Sequence, residues 1–113
     1  MSDRQEEIGE AQVTFRNANE TIQASADSAA ILGNVPFVCE CPNSDCTEIV
    51  RLSFDQYEAI RQHPTRFFNL TGHEQSSVEA GAERIVAVAD QLTVVEKVGV
   101  AGEVAAEAYP RQS

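Results

Sequence analysis

Phe37-Val-Cys-Glu-Cys-Pro-Asn-Ser-Asp-Cys46 decides how this chain is read, because all 3 of its cysteines fall inside that stretch. If Cys39 and Cys41 lie on extended backbone, their side chains point to one face, since strand side chains alternate with period two. The insert Pro42-Asn43-Ser44-Asp45 is rich in turn formers, so the chain can double back and bring Cys46 beside them. Three thiolates on one short loop suit a soft tetrahedral cation, and zinc is the commonest such guest. An odd number of closely spaced cysteines reads as metal or thiol chemistry, not as a disulfide framework. Three free thiols are the alternative to a metal site.

A tetrahedral site needs a fourth ligand from elsewhere, and the chain has 2 histidines. His63 precedes Pro64 at the expected end of a helix, where an imidazole finds a role with the last carbonyls and the negative end of the dipole. His73 follows Gly72 in a turn after an expected strand, from which a ring can be aimed at a neighbouring loop. His73 is therefore the favoured ligand, with His63, water, and the carboxylates of Glu40, Asp45 and Glu74 as alternatives. A closed set of Cys39, Cys41, Cys46 and His73 is a structural zinc site, since catalytic zinc keeps a position open. It would also contribute folding free energy directly.

Upstream, residues 5–32 contain no proline and one glycine, Gly9. Ile8, Ala11, Phe15, Ala18, Ile22, Ala29 and Leu32 recur at three-and-four spacing, which predicts one stripe of a long helix. The stripe is expected to lie across the domain's own sheet. The competing reading is a helix that binds a protein partner or self-associates through Ile8, Phe15 and Ile22. The repeat is too short and too poor in leucine for a coiled coil. Gly33-Asn34 ends the helix, both residues tolerating the left-handed conformation beyond a last turn.

Downstream, Thr47–Leu52 predicts a short strand. Ser53-Phe-Asp-Gln56 is a capping-box pattern, opening a helix with Phe54, Tyr57 and Ile60 on its buried face and ending at His63-Pro64. Arg66–Leu70 predicts a strand and Thr71–Glu74 a turn. Residues 74–81 are polar and ambiguous. Residues 83–98 predict a hairpin turning near Asp90-Gln91, and residues 99–110 a short terminal helix. The expected fold is one α+β domain over residues 1–113. Its N-terminal helix spans 5–32, and its zinc-stapled core spans 35–113 with a small antiparallel sheet and one or two further helices.

The formal net charge of −10, with only 8 Lys and Arg, disfavours nucleic-acid binding, which depends on cations neutralising phosphates. The N-terminus lacks the apolar core of a signal peptide and no apolar run reaches the length of a membrane span, so a cytoplasmic protein without membrane contact is expected. No His-Glu-x-x-His, glycine-rich phosphate loop or Cys-x-x-Cys is present. A non-enzymatic, zinc-stabilised interaction or regulatory module is the leading expectation. The alternative is a thiol-based sensor in which oxidation of Cys39 or Cys41 releases zinc.

Phe37-Val-Cys-Glu-Cys-Pro-Asn-Ser-Asp-Cys-Thr-Glu, Leu52-Ser-Phe-Asp-Gln-Tyr-Glu-Ala-Ile-Arg, His63-Pro-Thr-Arg-Phe, Gly72-His-Glu and Val94-Val-Glu-Lys-Val-Gly together resemble a group of small bacterial proteins sharing a Cys-x-Cys-x4-Cys…Gly-His pattern. The resemblance runs from about Phe15 to Ala106 and implies a metal-binding role for Cys39, Cys41, Cys46 and His73. It brings no activity with it. Where such proteins carry charged or bulky residues before the Val-Val-Glu-Lys strand, this chain has the blander Ile85–Ala89. The cysteine spacing is also similar to the zinc knuckle beside the catalytic domain of SET-type lysine methyltransferases. That knuckle takes a fourth cysteine from a much larger domain, so the similarity reads as local convergence.

Overall fold

The computed structural model describes residues 2–28 and 33–111, with side chains from Glu10 to Ala26 and from Gly33 onward. A long helix, α1 (Ser2–Ser28), leads into β1 (Asn34–Val38), the cysteine loop and β2 (Ile49–Ser53). There follow α2 (Phe54–Arg61), β3 (Arg66–Leu70), α3 (Gln75–Glu79), β4 (Glu83–Ala89), β5 (Leu92–Lys97) and α4 (Gly99–Glu107). The architecture is α+β, as expected. The single expected sheet is instead two antiparallel sheets, β1-β2 and β3-β5-β4. The strand pattern of Asn34–Val38 escaped the sequence because Pro36 interrupts it, yet Pro36 is exposed and Val35 and Phe37 are buried, as a two-stranded edge permits. The two sheets meet where the Glu40 amide donates to the Phe68 carbonyl at 2.9 Å.

Ser53 caps α2 through both bonds of the capping box: its hydroxyl accepts from the Gln56 amide, and its amide donates to the Gln56 side chain. Tyr57 and Ile60 face inward as expected, but Phe54 is 37% exposed and Arg61 takes the remaining inward position. Tyr57 stacks on Phe37 with ring centroids 4.3 Å apart, and Phe68 meets both edge-on. This aromatic centre, with Val35, Val50 and Leu52, forms the main core.

Helix α1 packs on α4 and β1, and its inner face differs from the expected one. Among its described side chains, Gln12, Arg16, Asn19, Gln23 and Ala26 are buried. Phe15 and Ile22 are only half-buried, and Ala18 is exposed. Ala29 and Leu32 lie outside the described residues, as does the side chain of Ile8. The polar stripe wins because the groove receiving it offers carbonyls and carboxylates. Arg16 donates to the carbonyls of Pro64 at 2.6 Å and Ala105 at 2.8 Å. Asn19 both donates to the Val38 carbonyl and accepts from the Val38 amide, each at 2.8 Å, which extends the edge of β1 as another strand would. Helix α4 sits close to β5, and a Cβ at Gly102 would stand 2.9 Å from the Lys97 carbonyl oxygen.

Candidate metal centre

The cysteine loop is built from both of its ends. The Cys39 amide donates to the Glu48 carbonyl at 3.0 Å, holding the entry of the loop against its exit. Between them the Asn43 side chain accepts from the Asp45 amide at 3.0 Å and its carbonyl accepts from Cys46 at 3.0 Å, an Asx-type turn. The chain therefore reverses, and Cys46 returns beside Cys39 and Cys41. Cys39 and Cys41 are each 1% exposed, while Cys46 is half-buried.

The fourth residue arrives from the turn after β3. Gly72 has φ +102, a left-handed conformation costly for any residue with a Cβ, and its amide donates to the Glu74 carboxylate at 2.9 Å. The His73 amide donates to the Leu70 carbonyl at 3.0 Å. This turn carries the ring to the cysteines: His73 Nδ1 lies 3.5 Å from Cys39 Sγ and 3.8 Å from Cys46 Sγ. The three sulfurs and a ring nitrogen of His73 all fall within 4.8 Å of one another.

Metal bonds of about 2.3 Å to sulfur and about 2.0–2.1 Å to nitrogen, at the tetrahedral angle, set S···N edges near ~3.6 Å. The observed 3.5 and 3.8 Å bracket that edge. The donor set, three sulfurs and one imidazole, is that of a closed structural site, so these four residues could hold a metal ion. None of the residues offered as alternatives to His73, Asp45 included, belongs to the cluster. His63 is exposed beyond α2 and outside the cluster. Glu74 accepts from Asn69 and Gly72, and Glu40 points the opposite way.

The sulfurs do not hold their protons equally. A hydrogen bond from Cys39 pulls the Cys41 thiol down to about 5 against the cost of burial, with His73 adding to the effect. The same bond, followed by burial, pushes Cys39 up. Burial pushes Cys46 up as well. The Leu70 amide donates to Cys39 Sγ at 3.4 Å, a contact that fixes the sulfur's orientation.

Behind the cysteines lies a set of groups that sequence reading missed. Glu40, between the two cysteines, is fully buried, and its carboxylate accepts from Arg61 Nη2 at 2.6 Å, Asn19 at 2.8 Å and the Phe68 amide at 3.3 Å. Its carbonyl accepts from Gln12 at 3.0 Å. Burial works against the Arg61 charge, but Glu40 more than offsets it and raises its pKa. The guanidinium also sits 4.9 Å from the Tyr57 ring centre, a cation–π contact. A second buried pair, Lys97 and Glu83 at 2.6 Å, joins the same system because Gln12 and Ser77 both donate to Glu83. The signal for this was present in period two: if Cys39 and Cys41 face one way, Glu40 faces the other, into the domain.

No family model, curated protein or solved structure matches this chain. Among the described residues no helix is long and apolar enough to cross a membrane.

Proposed function

We propose that Cys39, Cys41, Cys46 and His73 hold a zinc ion as a structural staple, and that the protein is a non-enzymatic module working through protein contacts. The observation that carries this reading is the closed Cys3His geometry, in which every ligand position of a tetrahedral ion has a protein donor. The ion would fasten the β1–β2 loop to the turn after β3, and so one sheet to the other. A cleft of about 660 Å³ opens elsewhere, between β2 and the β4–β5 turn. Its lining is aliphatic apart from Arg51, Gln56, Asp90 and Gln91, a set without a nucleophile or an acid–base pair.

Elemental analysis with absorption spectroscopy at the metal edge tests the reading. One zinc per chain with three sulfur and one nitrogen neighbours is expected. His73→Ala is expected to weaken retention, and stripping the metal to lower the unfolding midpoint by at least about 10 °C. A metal-free purified protein, or unchanged retention in His73→Ala, overturns it.

The half-exposure of Cys46 beside two buried thiols favours one second reading, a sensor for peroxide. Peroxide would oxidise Cys46 to the sulfenic acid with release of water. A neighbouring thiolate would then displace hydroxide to form a disulfide, and zinc, left with two ligands, would leave. The entry point differs from the Cys39 or Cys41 expected from sequence, because burial shields both. Zinc retention under mild peroxide, followed with a chromogenic chelator, removes this reading.

A further inference from the structure

Strand β4 is the bare edge of the three-stranded sheet. Among the described residues it pairs with β5 alone, so its other side presents backbone N–H and C=O groups that another strand can bond. Ile85, Val86 and Val88 are 49, 38 and 56% exposed. The run Ile85–Ala89 holds no charge in a chain of net charge −10. Natural edges are blunted with lysine, proline, charge or a bulge, and beyond Arg84 this one has only the bulge between Ile85 and Ala87.

The register shows which side is unfinished. Ile85 stands beside Val95 and Val88 beside Thr93, and both partners are fully buried. The buried layer of the sheet therefore runs outward to an uncovered rim. Arg84, Ala87 and Ala89 stand beside Glu96, Val94 and Leu92 on the other face. At the two ends of the strand are opposite charges: Arg84, its side chain 67% exposed and paired with Glu96 at 2.7 Å, and the exposed Asp90.

We propose that β4 pairs antiparallel with β4 of a second copy about a two-fold axis at Ala87, joining the two three-stranded sheets into one. Counting the bulge as a single rung, Ala87 faces Ala87, Ile85 and Val86 face Val88 on the inner side, and Arg84 faces Ala89 on the outer side. Each contact joins residues of like face. Asp90 faces Glu83 of the other copy, whose charge Lys97 already balances. It lies one residue from that copy's Arg84, which holds its own Glu96 through Nε and Nη2 and keeps Nη1 for Asp90; the symmetry makes this pairing twice. That complementarity is why the occupant is a second copy: a foreign strand would have to bring the same acid, apolar run and base in the same order.

Sedimentation velocity across a concentration series tests the association, with symmetric crosslinking as an independent arm. The protein is expected to reach a dimer that dissociates on dilution. Val88→Lys is expected to raise the dissociation constant at least tenfold without moving the unfolding midpoint of the dilute monomer. Ala87→Cys, at the axis, is expected to give a disulfide-linked dimer on mild oxidation, and Gln75→Cys on exposed α3 is expected to give none. A monomer at every concentration overturns the proposal. So does a dimer indifferent to Val88→Lys, equal crosslinking of the two cysteine variants, or association that continues beyond two copies. If Val88→Lys unfolds the chain, the crosslinking comparison still decides.

Discussion

Helix α1 and strand β4 break the same rule in opposite directions. The helix turns Gln12, Arg16, Asn19 and Gln23 inward and leaves Phe15 and Ile22 half out. The strand exposes Ile85, Val86 and Val88, with only Glu83 of its seven residues buried. Hydrophobicity sorts side chains by the free energy of leaving water, but a polar group with most of its bonds met inside loses little by burial. Of this stripe only Gln12 Oε1, Arg16 Nε and Gln23 Oε1 find no partner among the described residues. Around α1 the interior supplies those partners in quantity: four carbonyls, the Glu40 and Glu83 carboxylates, and the ring faces of Phe67 and Tyr109. Around β4 the described chain covers the apolar side chains only in part. An inward face is thus set by what the opposing surface offers, and an apolar face left outside marks where an opposing surface is still owed.

The sharpest way to break the polar half of this comparison is Glu40→Ala. It leaves Arg61 charged and buried, with the Asn19 side chain and the Phe68 amide each short of an acceptor. Removing one partner of a buried ion pair costs about 3–5 kcal/mol. Urea unfolding of the variant is expected to show a loss in that range, with α1 losing amide protection first because Asn19 is one of its anchors. A loss under about 1 kcal/mol would mean that water reaches Arg61 and that the stripe is less dry than its burial indicates.

These two elements also mark how much the sequence could reveal. Element positions were legible wherever a local chemical signal existed: the capping box at Ser53, Pro64 after α2, the Asp90-Gln91 turn, and the alternation in β5. The metal cluster was legible because its ligands are scarce residue types whose clustering carries information by itself, and because a glycine-histidine turn can aim a ring. The buried face of α1 was illegible. Its partners come from Glu40, Pro64, Glu83 and Ala105, residues far apart in the chain, and no window of periodicity contains them. The split into two sheets was hidden for a similar reason, since pairing of β1 with β2 brings together residues on either side of the cysteine loop. Phe54 was misplaced because Arg61 takes the inward position by pairing with Glu40.

A smaller effect tests the rim of the polar interface. Arg111 pairs with Glu20 of α1 at 2.7 Å and Glu58 of α2 at 2.7 Å. Burial works against the Glu20 charge, but Arg111 and Tyr57 outweigh it and hold the carboxyl below its usual 4.5. Arg111 does the same, more directly, for Glu58. A lowered carboxylate pKa contributes stability that is fully present above the ordinary 4.5 and lost as pH falls through the folded value. Arg111→Ala is therefore expected to cost about 1 kcal/mol at pH 7, since its guanidinium is one-third exposed, and progressively less below about pH 4.5. A pH-independent loss would assign the effect to packing of the arginine stem instead.

The smallest expected effect is the most discriminating for β4. Val88→Thr removes an apolar side chain from a sheet and replaces it with a polar one of similar shape, which in a core strand costs well over 1 kcal/mol through the buried hydroxyl. At 56% exposure that hydroxyl stays in water, and threonine keeps the β-branched shape that suits a strand. In samples dilute enough to sediment as monomer, the unfolding free energy is expected to change by no more than about 0.5 kcal/mol. At concentrations where copies associate, the same variant is expected to lose stability relative to the parent, because only there does the exposed part of Val88 gain an apolar cover. If the loss is full size and independent of concentration, the chain itself covers Val88, and the contrast with α1 disappears. A concentration-dependent loss separates the two regions: α1 carries a polar contact made within the chain, and β4 carries an apolar one that needs a second molecule.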